Sequence, residues 1–224
     1  MFRQLYTALT SADTLSDAFS QLTEMLDHGS WMFVRANDVL HSKVSADEVH
    51  DSIYARDRAI NELERSIRRK LLRHLTVNPG FDAAVCLALM SIAKDAERIG
   101  DYCKNVFEVG EFYTEGFHVP RYHEPLDEIA EQTLEMFRLV KEACRASDEE
   151  RAKEAMKLSR RIRQRCDRII RELFRDESEI EVHEAVAYSL LARHFKRVAG
   201  HLSNIATAVL GRLEELDYYR ESGD

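Results

Sequence analysis

Apolar residues recur at alternating intervals of three and four along most of the chain, and this spacing restricts the fold more than any other feature. The clearest seam runs through Val85, Leu89, Ile92, Ala96, Ile99, Cys103 and Val106. Such spacing places apolar side chains on one face of an α-helix, whereas a half-buried strand alternates every second residue. Only three prolines occur, and they lie at breaks in the pattern. The sequence therefore predicts an all-α fold of long helices.

Turn and capping signals divide this pattern into six predicted helices. Ser45 is a predicted helix start, and so is Ser147, which is followed three residues later by Glu150. The segment NPGFD, residues 78–82, is a predicted turn. The predicted helices span residues 12–43, 46–76, 81–115, 121–146, 148–177 and 179–219.

Two short similarities indicate an internal duplication. ERIGDYCKN at residue 97 aligns with KRVAGHLSN at residue 196, and DRAINEL at residue 57 aligns with DRIIREL at residue 167. The two matches occur in the same order, and three antiparallel helices can bury their apolar stripes together. We therefore predict two tandem three-helix bundles, a first repeat over residues 1–117 and a second, degenerate repeat over residues 118–224.

Charge and cysteine usage exclude several classes of function. The formal net charge of −8 argues against general nucleic-acid binding, which usually requires a basic surface. No apolar run approaches the length of a membrane span, and the N-terminal segment has no apolar signal region. The cysteines are widely spaced and form no C-x-x-C pair, which favours reduced thiols in a helical core: Cys86, Cys103, Cys144 and Cys166. These observations predict a cytoplasmic protein.

Acidic residues interrupt the apolar faces of two predicted helices. On the third helix, Glu97 and Asp101 lie four residues apart beside the apolar seam, with Gly100 in the helix interior between them. A mid-helix glycine costs about 1 kcal/mol relative to alanine, so its presence suggests a close approach at this point. We expect the two carboxylates at the edge of a buried surface.

The second helix carries a matching row. Asp57 and Asn61 are four residues apart on its buried side, and Glu64 continues the row. If the two helices pack together, these oxygen donors converge on Glu97 and Asp101, and either bases or metal ions must compensate the buried charge. The alternative interpretation is that the carboxylates pair with neighbours such as Lys94 on a solvated face.

The segment AERIGDYCKNVFE closely resembles the hallmark segment of the PhoU family of phosphate-uptake regulators. The resemblance is carried by Glu97, Arg98, Ile99, Gly100, Asp101, Asn105 and Glu108. It implies two similar three-helix bundles and a non-enzymatic regulator that acts between a phosphate transporter and a sensor histidine kinase at the membrane. It also implies a divalent or ferric metal ion, such as iron, zinc, manganese, nickel or magnesium, bound by Asp57, Asn61, Glu97 and Asp101.

The second repeat departs from the family pattern. Lys196 and Gly200 stand where Glu97 and Asp101 stand in the first repeat, and Arg171 replaces the partner of Asp167. Because basic side chains repel cations, we predict one metal site rather than two, with Asp167 neutralised directly by these bases. The turn segment also lacks an arginine common in the family, which raises the alternative of service to another transporter, such as a sodium–phosphate cotransporter.

Several rival interpretations remain open from the sequence. A carboxylate-bridged di-iron enzyme would need paired Glu-x-x-His motifs, and only the unpaired Glu115–His118 spacing is found near the motifs. A metal-free helical interaction protein is the second rival. His194 and His201 form a minor zinc candidate with Asp167, and the basic segments near residues 65–73 and 159–175 are candidates for an acidic partner or lipid. Trp31 is predicted to lie in the core, with a homodimer contact as the alternative.

Overall fold

The computed structural model describes residues 13–77, 80, 82–178 and 180–212, and within them it contains six helices and no strand. The predicted all-α fold is therefore confirmed. The helices are α1 (Asp13–Leu40), α2 (Ala46–Val77), α3 (Ala83–Phe112), α4 (Pro120–Ala146), α5 (Glu149–Leu173) and α6 (Val182–Val209). None of them has an apolar stretch long enough to cross a membrane within the residues that the structure describes.

Several helices end earlier than the sequence predicted, and the reasons are local. α6 ends at Val209 because Leu210 begins a turn and Gly211 adopts a positive φ of 71°, the usual conformation after a helix C-terminus. Positions 213–219 of the predicted helix lie outside the described residues. α5 ends at Leu173, after which the Asp176 carboxylate accepts hydrogen bonds from the Ser178 amide and the Tyr122 hydroxyl.

One of the two predicted helix starts is confirmed and the other is wrong by one residue. The Ser45 hydroxyl donates to Glu48 Oε1 at 2.8 Å, and Glu48 N lies 3.4 Å from the same hydroxyl, which closes a capping box at α2. At α5 the cap is Asp148, whose carboxylate accepts from the amides of Glu150 and Arg151. Ser147 instead terminates α4 in the left-handed conformation, with φ of 51°.

The helices pack as two groups of three that share one continuous core. α1, α2 and α3 contact one another, as do α4, α5 and α6, while α3 packs against α6 and α1 against α4 across the halves. Phe33 of α1 illustrates the shared core, because its ring lies 6.0 Å from Phe137 and 5.3 Å from Phe195. The predicted boundary at residue 117 falls in the connection between α3 and α4, and the division into two domains stays a prediction.

The predicted seams are buried. Every apolar residue named in the α3 seam is at most 7% exposed, and the four free cysteines are buried too. Burial raises the pKa of Cys86 to about 11 and that of Cys144 and Cys166 to about 12, so these thiols stay protonated at neutral pH. Met32 and Phe33 are fully buried, whereas Trp31 is half-buried beneath the Arg56 guanidinium, 4.1 Å from its ring.

Candidate metal centre

The acidic rows of α2 and α3 meet along the border where these two helices pack. Glu64 and Glu97 are buried, at 6% and 8% exposure, while Asp57 and Asp101 are partly buried. The expectation that Glu97 and Asp101 lie at the edge of a buried surface is confirmed. The structure thus places several carboxylates in a setting where their charge must be compensated.

Gly100 of α3 packs directly against α2. A Cβ atom at this position would lie 2.8 Å from Ile60 Cδ1 of α2, shorter than side chains tolerate. The interior glycine is therefore explained by packing against a neighbouring helix, and the group that approaches is the Ile60 side chain rather than a backbone segment. Because Ile60 belongs to the same helix as Asp57 and Asn61, this contact fixes the distance between the two acidic rows.

The buried end of the site is a cluster of two glutamates and two bases. Lys94 Nζ lies 2.7 Å from Glu97 Oε2 and 3.9 Å from Glu64 Oε1, so one ammonium group links α3 to α2. Arg68 Nη2 lies 2.8 Å from Glu64 Oε1. Glu64 and Glu97 therefore share a common cation.

The more exposed end repeats this arrangement around Lys104. Its ammonium group lies 3.0 Å from Asp57 Oδ2 and 3.9 Å from Asp101 Oδ1, again joining the two helices. Arg98 Nη1 approaches Asp101 Oδ2 at 3.4 Å. The Asn61 amide nitrogen donates to the Asp57 carbonyl at 3.0 Å, so its side-chain nitrogen is engaged within α2.

The charges at this border influence one another. Burial raises the pKa of Asp101 above its ordinary value, and repulsion from Glu97 and Asp57 raises it further, while Lys104 and Arg98 oppose the shift. The net upward direction means that the ionised form of Asp101 is less favourable here than in water. A cation placed among these carboxylates reverses that balance, which is the behaviour expected of a metal-binding group.

Two oxygen atoms at the site are poorly satisfied. Glu64 Oε1 and Glu97 Oε2 are buried and accept no hydrogen bond of regular geometry from any described residue, although each lies within ion-pair distance of a cation. Carboxylate and amide oxygens are the donors that hard metal ions prefer. The donor chemistry therefore fits a metal ion.

The spatial arrangement of the oxygen donors is less suited to a metal ion than their chemistry. Within the described part of the chain, no three His, Cys, Asp or Glu side chains lie close enough together to hold a metal ion. Lys94 and Lys104 lie among the carboxylates at both ends of the border. A metal ion at this border would compete with these two ammonium groups.

The equivalent border in the second half is closed by an ion pair. Lys196 Nζ of α6 contacts Asp167 Oδ1 of α5, which confirms the predicted direct neutralisation of Asp167 by lysine. Gly200 stands in the position corresponding to Asp101, and a Cβ atom there would meet nothing within 4 Å. The prediction of a single metal site stays a prediction.

The histidines considered as zinc ligands have other partners. His201 Nδ1 lies 2.8 Å from Asp95 Oδ1 of α3, and its ring stacks on Tyr102 with centroids 5.7 Å apart. His194 also lies beside Tyr102, at 5.9 Å, while Asp167 is paired with Lys196. Glu115 and His118 lie together in the connection between α3 and α4, with no helical pair of Glu-x-x-His motifs among the described residues.

Sequence reasoning missed one contributor to the site, Lys104, and one polar contact outside it, between Asp95 and His201. Lys104 lies three residues after Asp101, so its spacing places it on the same face of α3, and that signal was available. Asp95 was missed because its partner, His201, is 106 positions away, on α6. Only the packing of α3 against α6 brings these residues together.

Comparison with known proteins agrees with this architecture. The family described as PhoU domain matches residues 22–109 and 126–209. The curated relatives include three proteins named phosphate-specific transport system accessory protein PhoU homolog or homolog 1. One, from Caulobacter vibrioides, is 29% identical over 53% of this chain, and the match spans about half (52%) of that relative. The relative from Synechocystis sp. is 27% identical over 68% of this chain and 69% of its own length. The relative from Thermotoga maritima is 26% identical over 85% of this chain and 86% of its own length.

Solved structures show the same fold. PhoU from Pseudomonas aeruginosa superposes with a TM-score of 0.77 at 22% identity, covering 90% of this chain and 97% of that protein. The phosphate transport system regulatory protein PhoU from Streptococcus pneumoniae gives a TM-score of 0.73 at 20% identity, covering 91% and 99%.

Proposed function

Because this chain belongs to the PhoU family, we propose that it is a non-enzymatic, metal-binding regulator of phosphate transport. Its curated relatives are named as accessory proteins of phosphate-specific transport systems. The proposed partners are a phosphate transporter and a sensor histidine kinase, met at the cytoplasmic face of the membrane, and the chain acts as a monomer or homodimer. The proposed metal ligands are Asp57, Asn61, Glu97 and Asp101.

One observation carries the metal proposal. The α2–α3 border buries carboxylates whose oxygens are incompletely satisfied, and it raises the pKa of Asp101 through burial and the neighbouring acids. A bound metal ion would supply positive charge that joins the two acidic rows and would reach a buried Glu97 oxygen that Lys94 satisfies only in part. Lys94 and Lys104 then hold the site closed when metal is absent.

The experiment is elemental analysis of protein dialysed without chelator and reloaded with iron, zinc, manganese, nickel or magnesium. We compare the wild type with a Glu97→Gln, Asp101→Asn variant, which keeps the side-chain shapes. The matched control is Glu131→Gln, Glu135→Gln, because these two acids have the same spacing on a solvent-facing side of α4. Metal near one equivalent in the wild type and the control, but not in the site variant, supports the proposal.

The second candidate is a metal-free adaptor for a phosphate transporter or a sodium–phosphate cotransporter. The contacts of Lys94 and Lys104 favour it, because these bases already neutralise the carboxylates. Equal, negligible metal content in all three proteins would select this candidate. The regulatory role is tested separately by measuring phosphate uptake in host cells that lack this protein. Returning the gene to these cells should lower their phosphate uptake again under either candidate.

A further inference from the structure

The C-terminal part of the outward face of α5 is a cationic stripe. The exposed acids nearer the start of this helix, Glu150 and Glu154, pair with Lys153 and Arg151. From residue 157 onward, one row of exposed residues recurs at intervals of four and three and contains no acid, and its last member lies in the turn after the helix: Lys157, Arg161, Gln164, Arg168, Arg171 and Arg175. The charged positions within the helix run from Lys157 to Arg171, which corresponds to roughly 21 Å along the helix axis. We call these residues the α5 stripe.

The stripe contrasts with the charge of the rest of the molecule. The chain carries a formal net charge of −8, yet residues 157–171 contain seven basic residues and only one acidic residue, Asp167. Asp167 is already paired with Lys196 of α6. The basic segment therefore produces a local positive potential on an otherwise acidic protein.

The bases of the stripe are not neutralised within the molecule. On α4, the Arg138 guanidinium contacts both Glu135 and Glu142, which is the usual arrangement on a solvated helix face. None of the five stripe bases forms an ion pair within the part of the chain that the structure describes. Like charges three and four residues apart repel, so the stripe costs the isolated helix stability that an external anionic surface would restore.

An exposed aromatic residue lies at the end of the stripe. Phe174 is 87% exposed and stands between Arg171 and Arg175 in sequence. Basic residues combined with an exposed aromatic side chain are typical of surfaces that bind the interfacial region of a bilayer.

We propose that the α5 stripe docks this protein directly onto an anionic lipid surface, with Phe174 entering the headgroup region. A planar surface of lipid phosphates can meet these bases together, because four of them follow one face of α5 and the fifth, Arg175, lies in the turn directly after it. This interaction is independent of the metal site, which lies between α2 and α3, so each can fail without the other.

The test is co-sedimentation with vesicles of phosphatidylcholine and phosphatidylglycerol at about three to one, in about 0.05 M salt, where surface charges are weakly screened. The variant is Arg161→Gln, Arg168→Gln, Arg171→Gln. The matched control is Arg58→Gln, Arg65→Gln, Arg69→Gln, which removes the same charge from exposed positions of α2. Because each base near an anionic surface strengthens binding by about fivefold, we expect the α5 variant, which lacks three bases, to bind about a hundredfold more weakly and the control to change only about threefold.

A Phe174 variant and a soluble polyanion test the role of the aromatic ring and the nature of the partner. Phe174→Ala should weaken binding at about 0.3 M salt, where electrostatic attraction is screened and insertion of the ring matters more. Circular dichroism confirms that each variant is folded. The proposal is overturned if the wild type fails to bind the anionic vesicles, or if the two triple variants lose binding equally. Binding to poly-L-glutamate that depends on the stripe, without vesicle binding, also overturns it and identifies an acidic protein as the partner.

Discussion

Two glycines in the interiors of equivalent helices should respond in opposite ways to replacement by alanine. Gly100 of α3 packs against Ile60 of α2, while Gly200 of α6 has no neighbouring atom within 4 Å of where a Cβ would lie. Both occupy helical backbone, so the gain in helix propensity is the same for each, about 1 kcal/mol. The difference between the two variants therefore reports only the space around each residue.

The structure sets the sign at each position. At Gly200 nothing offsets the propensity gain, so Gly200→Ala should stabilise the protein by about 0.5–1 kcal/mol. At Gly100 the new methyl group would lie 2.8 Å from Ile60 Cδ1, and Ile60 is 1% exposed, so its side chain has little room to move. Overpacking of a core costs about 1–3 kcal/mol, which equals or exceeds the gain, so Gly100→Ala should be neutral to destabilising by about 2 kcal/mol.

The assay is urea unfolding followed by circular dichroism, with thermal unfolding as a second readout. A stabilisation of 1 kcal/mol corresponds to an increase in Tm of about 2–4 °C for a chain of this size. Unchanged m values would show that the denatured state is not the source of the effect. Equal stabilisation by both substitutions would refute the close packing of Gly100 against Ile60 at the candidate metal centre.

Three further changes test other parts of the structure. Asp148→Ala should destabilise the protein by about 1 kcal/mol in urea unfolding, because it removes the α5 cap, and Ser147→Ala should cost less than half of that. The pKa of Asp101 is raised in the folded state, so the wild type loses stability as pH rises through and above the ordinary range for aspartate. Asp101→Asn removes this loss, and the metal-free variant should be more stable by a few tenths of a kcal/mol at pH 7 and no more stable below about pH 3.5. Lys104→Met leaves Asp57 without its ammonium partner, which should destabilise the metal-free protein by about 1–2 kcal/mol. Because the substitution also removes the group that competes with a metal ion, it should tighten metal binding about tenfold in a calorimetric titration. Weaker metal binding would contradict the proposed competition.

The periodic spacing of apolar residues predicted the six helices well. The errors are in helix boundaries that depend on the conformation of a single residue. The α3 seam was readable because burial repeats at each turn of the helix. The prediction that α6 continues through residues 210–212 was wrong because Gly211 ends the helix through its positive φ, a stop signal that was overlooked. Ser147 and Asp148 are both good helix caps, and the choice of Asp148 depends on how the preceding helix α4 ends.

The candidate site was predictable in part, because spacing of four places Glu97 with Asp101 and Asp57 with Asn61 on common faces. Which bases reach those acids depends on how α2 packs against α3, and the sequence of one helix does not specify its neighbour. Lys104 crosses to Asp57, and Lys94 links Glu97 to Glu64, through contacts set by that packing. The role of Gly100 was predicted as a close approach, although Ile60 as the approaching group required the structure.

The proposed function depends on a metal ion bound by the acidic rows of α2 and α3. The most direct test is an anomalous difference map, recorded at the absorption edge of iron or zinc, from crystals of the reloaded protein. We predict one strong peak at the α2–α3 border, beside Asp57 and Asp101, with the Lys104 ammonium group moved away from both carboxylates. A map without a peak at that border, with Lys104 still bound to Asp57, would contradict this prediction.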